Sequence, residues 1–208
     1  MKKIVAILGD YWHHENVIKE SLEAAVKDLN VQVSYISYGD VENALRDNPA
    51  AVILYKENRL NPLDETVETW MEPAIMAQIV TYVEQGGGWF AWHTGMASYP
   101  SDSSYIKMLK GSFTYHPDLQ EVTYKYSDGS IACSFIDEHY FVSCQTDETD
   151  VFLLSESIDG HSIAGWQHSF GRGRVCCFTP AHTQEGLSDT HFTSLLRRKL
   201  TYCIGEDV

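Results

Sequence analysis

Histidine recurs where apolar, strand-length runs end, and this recurrence is the first chemical signal in the chain. The run Ile4–Leu8 is followed by Gly9, Asp10, Trp12, His13, His14 and Glu15. Gly88–Trp92 is followed by His93 and Thr94, and the run at 174–179 by Pro180, His182 and Thr183. The run at 51–55 ends instead in Lys56, Glu57, Asn58 and Arg59. Imidazole exchanges a proton near neutral pH and binds divalent metals, so histidines gathered with a carboxylate suit acid–base catalysis or a metal centre. Two further stretches add candidates. In FTYHPDLQEVTY, Pro117 holds His116 extended and so aims its side chain. In FIDEHYFV, strand alternation puts Glu138 and Tyr140 on one face and Asp137 and His139 on the other.

Each of these residues also has a purely structural role open to it. His93 can cap backbone groups at a strand-to-helix turn. His13 and His14 are neighbours, so only one is expected to face a cleft. His161 and His168 flank Trp166 and read as surface or hydrogen-bonded core residues, and His191 as a helix-start residue. The Asp137–Tyr140 stretch also fits a charge cluster at a strand edge. Trp12 and Trp92 flank the candidates and offer flat faces to a sugar ring, but alternation turns Trp92 away from His93 and into the core.

The elements that must position these residues are those of an open α/β sheet. Continuous apolar runs such as IVAIL and AVILY suit strands buried on both faces of a parallel sheet. Between them, Ile18, Leu22, Ala25, Val26 and Leu29 form one helical stripe. Strand, helix, strand, helix, strand at this spacing predicts right-handed βαβ units. A second long helix is expected from Pro73 to Gly86, and a last one carrying Phe192, Leu195, Leu196, Leu200 and Cys203. Between about 112 and 170 the pattern changes to short β-rich segments, an expected antiparallel insert. With no linker or repeat, residues 1–208 form one expected domain: a mostly parallel sheet, helices on both faces, and that insert. Ligands of such sheets bind beyond the carboxyl ends of the strands, where the histidines lie.

Composition narrows the function. The chain has 15 Lys+Arg against 29 Asp+Glu, a formal net charge of -14. That surface repels phosphate backbones and argues against nucleic-acid binding. The odd number of cysteines, five, with no CxxC pair, reads as reduced thiols in a cytoplasmic protein. No apolar stretch approaches membrane-span length, so no membrane association is expected. The Gly86–Gly88 triplet precedes a strand rather than opening a helix, so it is not a phosphate-binding loop. There is no G-x-S-x-G nucleophile turn.

The order GGGWFAWHTG, FTYHPDLQEVTY, DEHYF and GRGRVCCFTPAHT, closed by an F..LL helix, resembles the trehalose-utilisation (ThuA-like) family. The resemblance implies a flavodoxin-like fold related to class I glutamine amidotransferases, with 3-keto-sugar metabolism as the setting. Where amidotransferases carry a catalytic cysteine, this chain has His93, so glutamine hydrolysis is disfavoured. The family's His-Glu after the first strand is matched by His14-Glu15, which favours His14 over His13. The chain departs from the pattern after its third strand, where Lys56-Glu57-Asn58 replaces a histidine.

The expectation is a carbohydrate-metabolism protein acting on a small sugar or keto-sugar by isomerisation, hydrolysis or elimination. His93, Glu138 and His182 are the expected catalytic groups, with Asp10, Trp12, His14, Thr94, His116 and Tyr140 holding substrate. A divalent zinc, manganese or iron ion would be held by His14, His93 and His182. The alternative is a non-catalytic sugar-binding or oligomerising protein that keeps the fold without turnover. An apolar patch on the β-rich segment would serve a homo-oligomer.

Overall fold

Alternation along the apolar strands sends one set of side chains to each face of a sheet, and helices cover both faces. The computed structural model describes residues 1–206. Its first half runs β1 (Lys2–Leu8), α1 (Glu15–Val26), β2 (Val31–Tyr35), α2 (Val41–Arg46), β3 (Ala51–Tyr55), α3 (Pro73–Glu84), β4 (Gly88–Trp92) and α4 (Ser104–Leu109). Five short to medium strands follow: β5 (Gly111–Tyr115), β6 (Gln120–Tyr126), β7 (Ile131–Asp137), β8 (Phe141–Cys144) and β9 (Asp150–Ser157). The long β10 (Gly160–Phe170), then β11 (Gly173–Phe178), α5 (Gln184–Leu187) and α6 (Thr190–Cys203) complete the chain.

One nine-stranded sheet has the order β2-β1-β3-β4-β11-β10-β9-β6-β7. Strands β2, β1, β3, β4 and β11 are parallel, as the βα pattern requires. Ile4, Ala6, Ile53, Phe90, Trp92, Cys176 and Phe178 pack beneath α1 and α6. Val5, Ile7, Val52, Leu54, Trp89, Val175 and Cys177 pack beneath α2, α3 and α4. Trp92 is therefore core, as alternation predicts.

The β-rich segment is less separate than an insert. Strands β10 and β11 are joined by the two-residue connection Gly171–Arg172, with Gly171 at φ 57, and a connection that short forces antiparallel pairing. From β10 the sheet continues antiparallel through β9, β6 and β7. Only β5 and β8 form a sheet of their own. The antiparallel half closes around the helical face: Val122, Tyr124 and Phe135 share one core with Phe178 and Phe192. This packing carries the end of β7 alongside the carboxyl ends of β1, β4 and β11. On its outer side Ile131, Ile136, Leu154 and Ile158 stay exposed.

All five cysteines are free, and only Cys144 is not fully buried. Among the described residues no helix is long and apolar enough to cross a membrane.

The turn after β4 rests directly on β3. A Cβ added at Gly95 would lie 2.2 Å from the carbonyl oxygen of Leu54, and the Gly95 carbonyl accepts a hydrogen bond from Tyr105 Oη at 2.8 Å. Gly95→Ala is expected to cost about 1–3 kcal/mol of stability, as overpacking does. Urea unfolding followed by circular dichroism measures this, and an unchanged midpoint would show that the turn is not held this closely.

Candidate active site

The site is built from the end of β1 outward. After Leu8 the chain turns at Gly9 (φ 82), and the Asp10 carboxylate organises the loop that leads into α1. Its Oδ1 accepts from the backbone N–H groups of Trp12 and His13 at 3.0 and 3.1 Å, and lies 2.7 Å from His13 Nδ1. Its Oδ2 accepts from the backbone N–H of Glu57, beyond β3, at 3.2 Å. Burial opposes the charge on Asp10, but the bond to His13 and the charge of that imidazole outweigh it and hold the carboxyl at about 2. An ionised carboxylate only accepts, so His13 donates from Nδ1 and turns Nε2 away from Asp10. That same turn sends the adjacent His14 outward to the N-terminus of α1, where it is exposed. The structure thus reverses the choice between these neighbours: His13 belongs to the cluster and His14 does not.

Beyond β4, His93 has φ 47, in the left-handed region that non-glycine residues seldom occupy. Its Nδ1 donates to the Thr179 carbonyl at 2.6 Å, and its Nε2 lies 3.4 Å from Glu138 Oε2. Tyr140 stacks on its ring at 4.0 Å between centroids. His93, an expected catalytic group, is completely buried and does not line the cleft; it stands behind Glu138.

The end of β7 supplies two carboxyl groups. Asp137 is fully buried and accepts from Tyr124 Oη at 2.7 Å and from the His182 backbone N–H at 2.9 Å. Burial pushes its carboxyl up to about 6, against the pull of His93 and Tyr124. Glu138 points into the cleft. Burial disfavours its charge, yet the adjoining His93, with His182 and His116 beside it, holds it at about 2. Glu138 and Tyr140 share a side, as alternation predicts, whereas His139 turns away to hydrogen-bond Ser155 and Ser157. His116, beyond β5, donates from Nδ1 to the Pro117 carbonyl at 2.9 Å and holds Nε2 3.8 Å from Glu138 Oε1. His182, beyond β11, has Nε2 3.7 Å from the same oxygen.

Three imidazoles therefore have Nδ1–H tied to a carboxylate or carbonyl and Nε2 turned inward, around a carboxylate that only accepts. Of these three, His13 alone belongs to the possible ligand set, and a carboxylate behind Nδ1 is a usual support of a metal-ligating histidine. One ligand atom each from His13, Glu138 and His182 lie within 4.8 Å of one another. His13 Nε2, His93 Nε2 and His182 Nδ1 are buried without a hydrogen-bond partner. These residues fit a divalent cation. The fitting set is His13, Glu138 and His182 rather than His14, His93 and His182, because His14 faces solvent and His93 lies behind Glu138.

The cleft has a volume of about 440 Å³, within the range of small-ligand sites. Trp12, 52% exposed, borders it, and buried Thr94 lies in its wall. Glu57, Arg59 and Ser98 complete that wall, and with His13 they are the site residues that sequence patterns left out of the candidate set. The Asp10-x-x-His13 spacing was the available signal for His13. A larger groove of about 570 Å³ between α2 and α3 contains no histidine. Elsewhere, His168 bonds the Met108 carbonyl, while His161 and His191 are exposed.

A sequence-family model, ThuA (trehalose utilisation), matches residues 4–203. The chain belongs to the ThuA family. Its fold is similar to that of a ThuA-like protein from Parabacteroides merdae, with a TM-score of 0.73 at 15% identity over 98% of this chain and 90% of the other. A cytoplasmic protein from Salmonella typhimurium is similar with a TM-score of 0.64 at 13% identity, over 97% and 99% of the two chains. A β-galactosidase from Rahnella sp. R3 gives 0.63 at 12% identity, over 97% of this chain but 31% of its own. No curated protein sequence matches. Family membership gives this ThuA protein a carbohydrate-related role.

Burial, and then the neighbouring His93, push His182 from its ordinary 6.5 down to about 4. Below pH 6.5 an unfolded His182 takes up a proton that the folded chain refuses until about 4. The contribution of His182 to stability therefore falls as the pH drops through that window. In metal-free protein, the stability of wild type relative to His182→Gln is expected to decline from pH 7 to pH 4.5 in urea titrations. Parallel pH profiles for the two proteins would contradict the burial of a neutral His182.

Proposed function

We propose that this ThuA protein acts on a sugar or keto-sugar by imidazole and carboxylate acid–base chemistry, beside a divalent cation held by His13, Glu138 and His182. The observation that supports this is the convergence of ring nitrogens on one carboxylate: His93 Nε2 and His116 Nε2 lie 3.4 and 3.8 Å from Glu138 with their Nδ1 atoms committed to backbone carbonyls, and one ligand atom each from His13, Glu138 and His182 lie within 4.8 Å of one another. A neutral imidazole nitrogen and a carboxylate facing one another repel unless a proton or a metal cation lies between them. When bound, zinc, manganese or iron would polarise a substrate carbonyl.

The remaining chemistry belongs to the chain. A keto-sugar has an acidified proton on the carbon beside its carbonyl. His116, 38% exposed in its side chain at the cleft mouth, takes that proton on Nε2 and returns it. Glu138, 3.8 Å from His116 Nε2, stabilises the imidazolium that forms. His93 and the stacked Tyr140 fix Glu138 from behind. Trp12 covers an apolar sugar face at the lip of the cleft. Proton return to the same or the neighbouring carbon makes isomerisation the simplest outcome.

Deuterium uptake from D2O into 3-ketotrehalose, followed by NMR, tests the proposal together with elemental analysis of untagged protein. Wild type is expected to carry near-stoichiometric metal and to catalyse exchange. His116→Asn should keep the metal and lose about 10²- to 10⁴-fold in exchange rate, whereas His13→Ala should lose both. No exchange by wild type, with or without added zinc, manganese or iron(II), would refute it.

A further inference from the structure

The wall of the cleft carries a feature that acid–base chemistry does not use. Glu57 is 2% exposed and sits in that wall. Its Oε2 accepts from Arg59 Nε at 2.7 Å and Ser98 Oγ at 3.0 Å. Its backbone is fixed on both sides, the N–H by Asp10 Oδ2 and the carbonyl by Trp70 Nε1 at 3.0 Å. Its other carboxylate oxygen, Oε1, has no hydrogen-bond partner in the protein.

A buried carboxylate oxygen left unpaired costs free energy, about 1–3 kcal/mol or more for a charged group. A carboxylate oxygen only accepts, so what completes it is an O–H or N–H donor. Arg59 lies against it with its side chain 39% exposed. One of its nitrogens is committed to Glu57, and its terminal N–H groups meet no acceptor among the described residues. Acceptor and donor are thus side by side. Two adjacent hydroxyls present the matching pair, one donating to Glu57 and its neighbour accepting from Arg59. Charge sharpens the choice. Arg59 is the one Lys or Arg bordering the cleft, and Glu57 already neutralises it. A phosphate or carboxylate on the substrate would meet Glu57 and Glu138 with no free cation from a side chain.

Resting on the sugar reading above, we propose that Glu57 and Arg59 form a subsite for a vicinal diol, which selects uncharged sugars and rejects sugar phosphates and sugar acids. The wall shares Asp10 with His13, so the diol subsite and the histidine cluster are held in one frame.

Isothermal titration of wild type and Glu57→Gln tests this with trehalose, D-glucose, its 2-, 3-, 4- and 6-deoxy analogues and glucose 6-phosphate. Thermal unfolding and metal content of the variant serve as controls for folding and for an intact cluster. Wild type is expected to bind trehalose and glucose and to bind glucose 6-phosphate at least tenfold more weakly. Glu57→Gln should bind trehalose about tenfold more weakly with unchanged metal content, because it replaces a charged acceptor by a neutral one. One deoxy analogue should lose affinity for wild type but not for the variant. Equal affinity of wild type and Glu57→Gln for trehalose, equal losses for that analogue in both proteins, or tight glucose 6-phosphate binding would overturn the diol subsite while leaving the sugar reading intact. Failure of wild type to bind any uncharged sugar would overturn both.

Discussion

The Asp10 carboxylate is the constraint on which the rest of the site depends. Four bonds meet on it: two backbone N–H groups of its own turn, the His13 ring, and the Glu57 backbone from the neighbouring strand end. Hydrogen bonds to an ionised acceptor are the strong ones, and buried ones are hard to replace by water. This one group chooses which of two adjacent histidines turns inward and which ring nitrogen that histidine offers. It also locks the loop after β1 to the loop after β3, so both walls of the cleft share one anchor.

A second constraint is the closure of the sheet. Five parallel strands bring the ends of β1, β3, β4 and β11 to one edge, which supplies His13, His93 and His182 but not the carboxylate that His93 and His182 share. Glu138 arrives only because the antiparallel half continues the same sheet and closes over the α1/α6 face, with Tyr124 and Phe135 packed into the common core. Asp137, one residue earlier, fastens that arrival by accepting from Tyr124 and from the His182 backbone. The burial of Asp137 is unfavourable for its charge, and its two donors offset only part of that cost. The carboxyl pair at 137 and 138 thus divides its labour: one holds the β11 loop in place, and the other faces the cleft.

His93 illustrates how position and role can part. It sits at a left-handed turn at a strand end, the kind of place where a strained backbone serves function. Yet its ring is covered by Tyr140 and directed at Glu138 and Thr179, so its chemistry passes through Glu138. The strain keeps the ring under the cleft rather than in it.

The local pattern of the chain determined the parallel strands, the three long helices, the burial of Trp92 and the placing of histidines at strand ends. All of these stem from period-2 and period-3.6 burial and from turn chemistry, which act over a few residues. The motif order was also enough to point to the ThuA family. Tertiary structure alone decided that β6, β7, β9 and β10 extend the main sheet, because strand partners many residues apart are chosen by whole-core packing. It also decided that the Asp10–His13 turn is locked to the end of β3, that His93 lies behind Glu138, and that Glu57 faces the cleft. Each of those outcomes turns on a side-chain direction set by a partner far away in sequence: Glu57 for Asp10, Thr179 and Glu138 for His93, Ser98 for Glu57. A residue's type announces what chemistry it can do, but only the contacts that fix its orientation say where that chemistry is delivered.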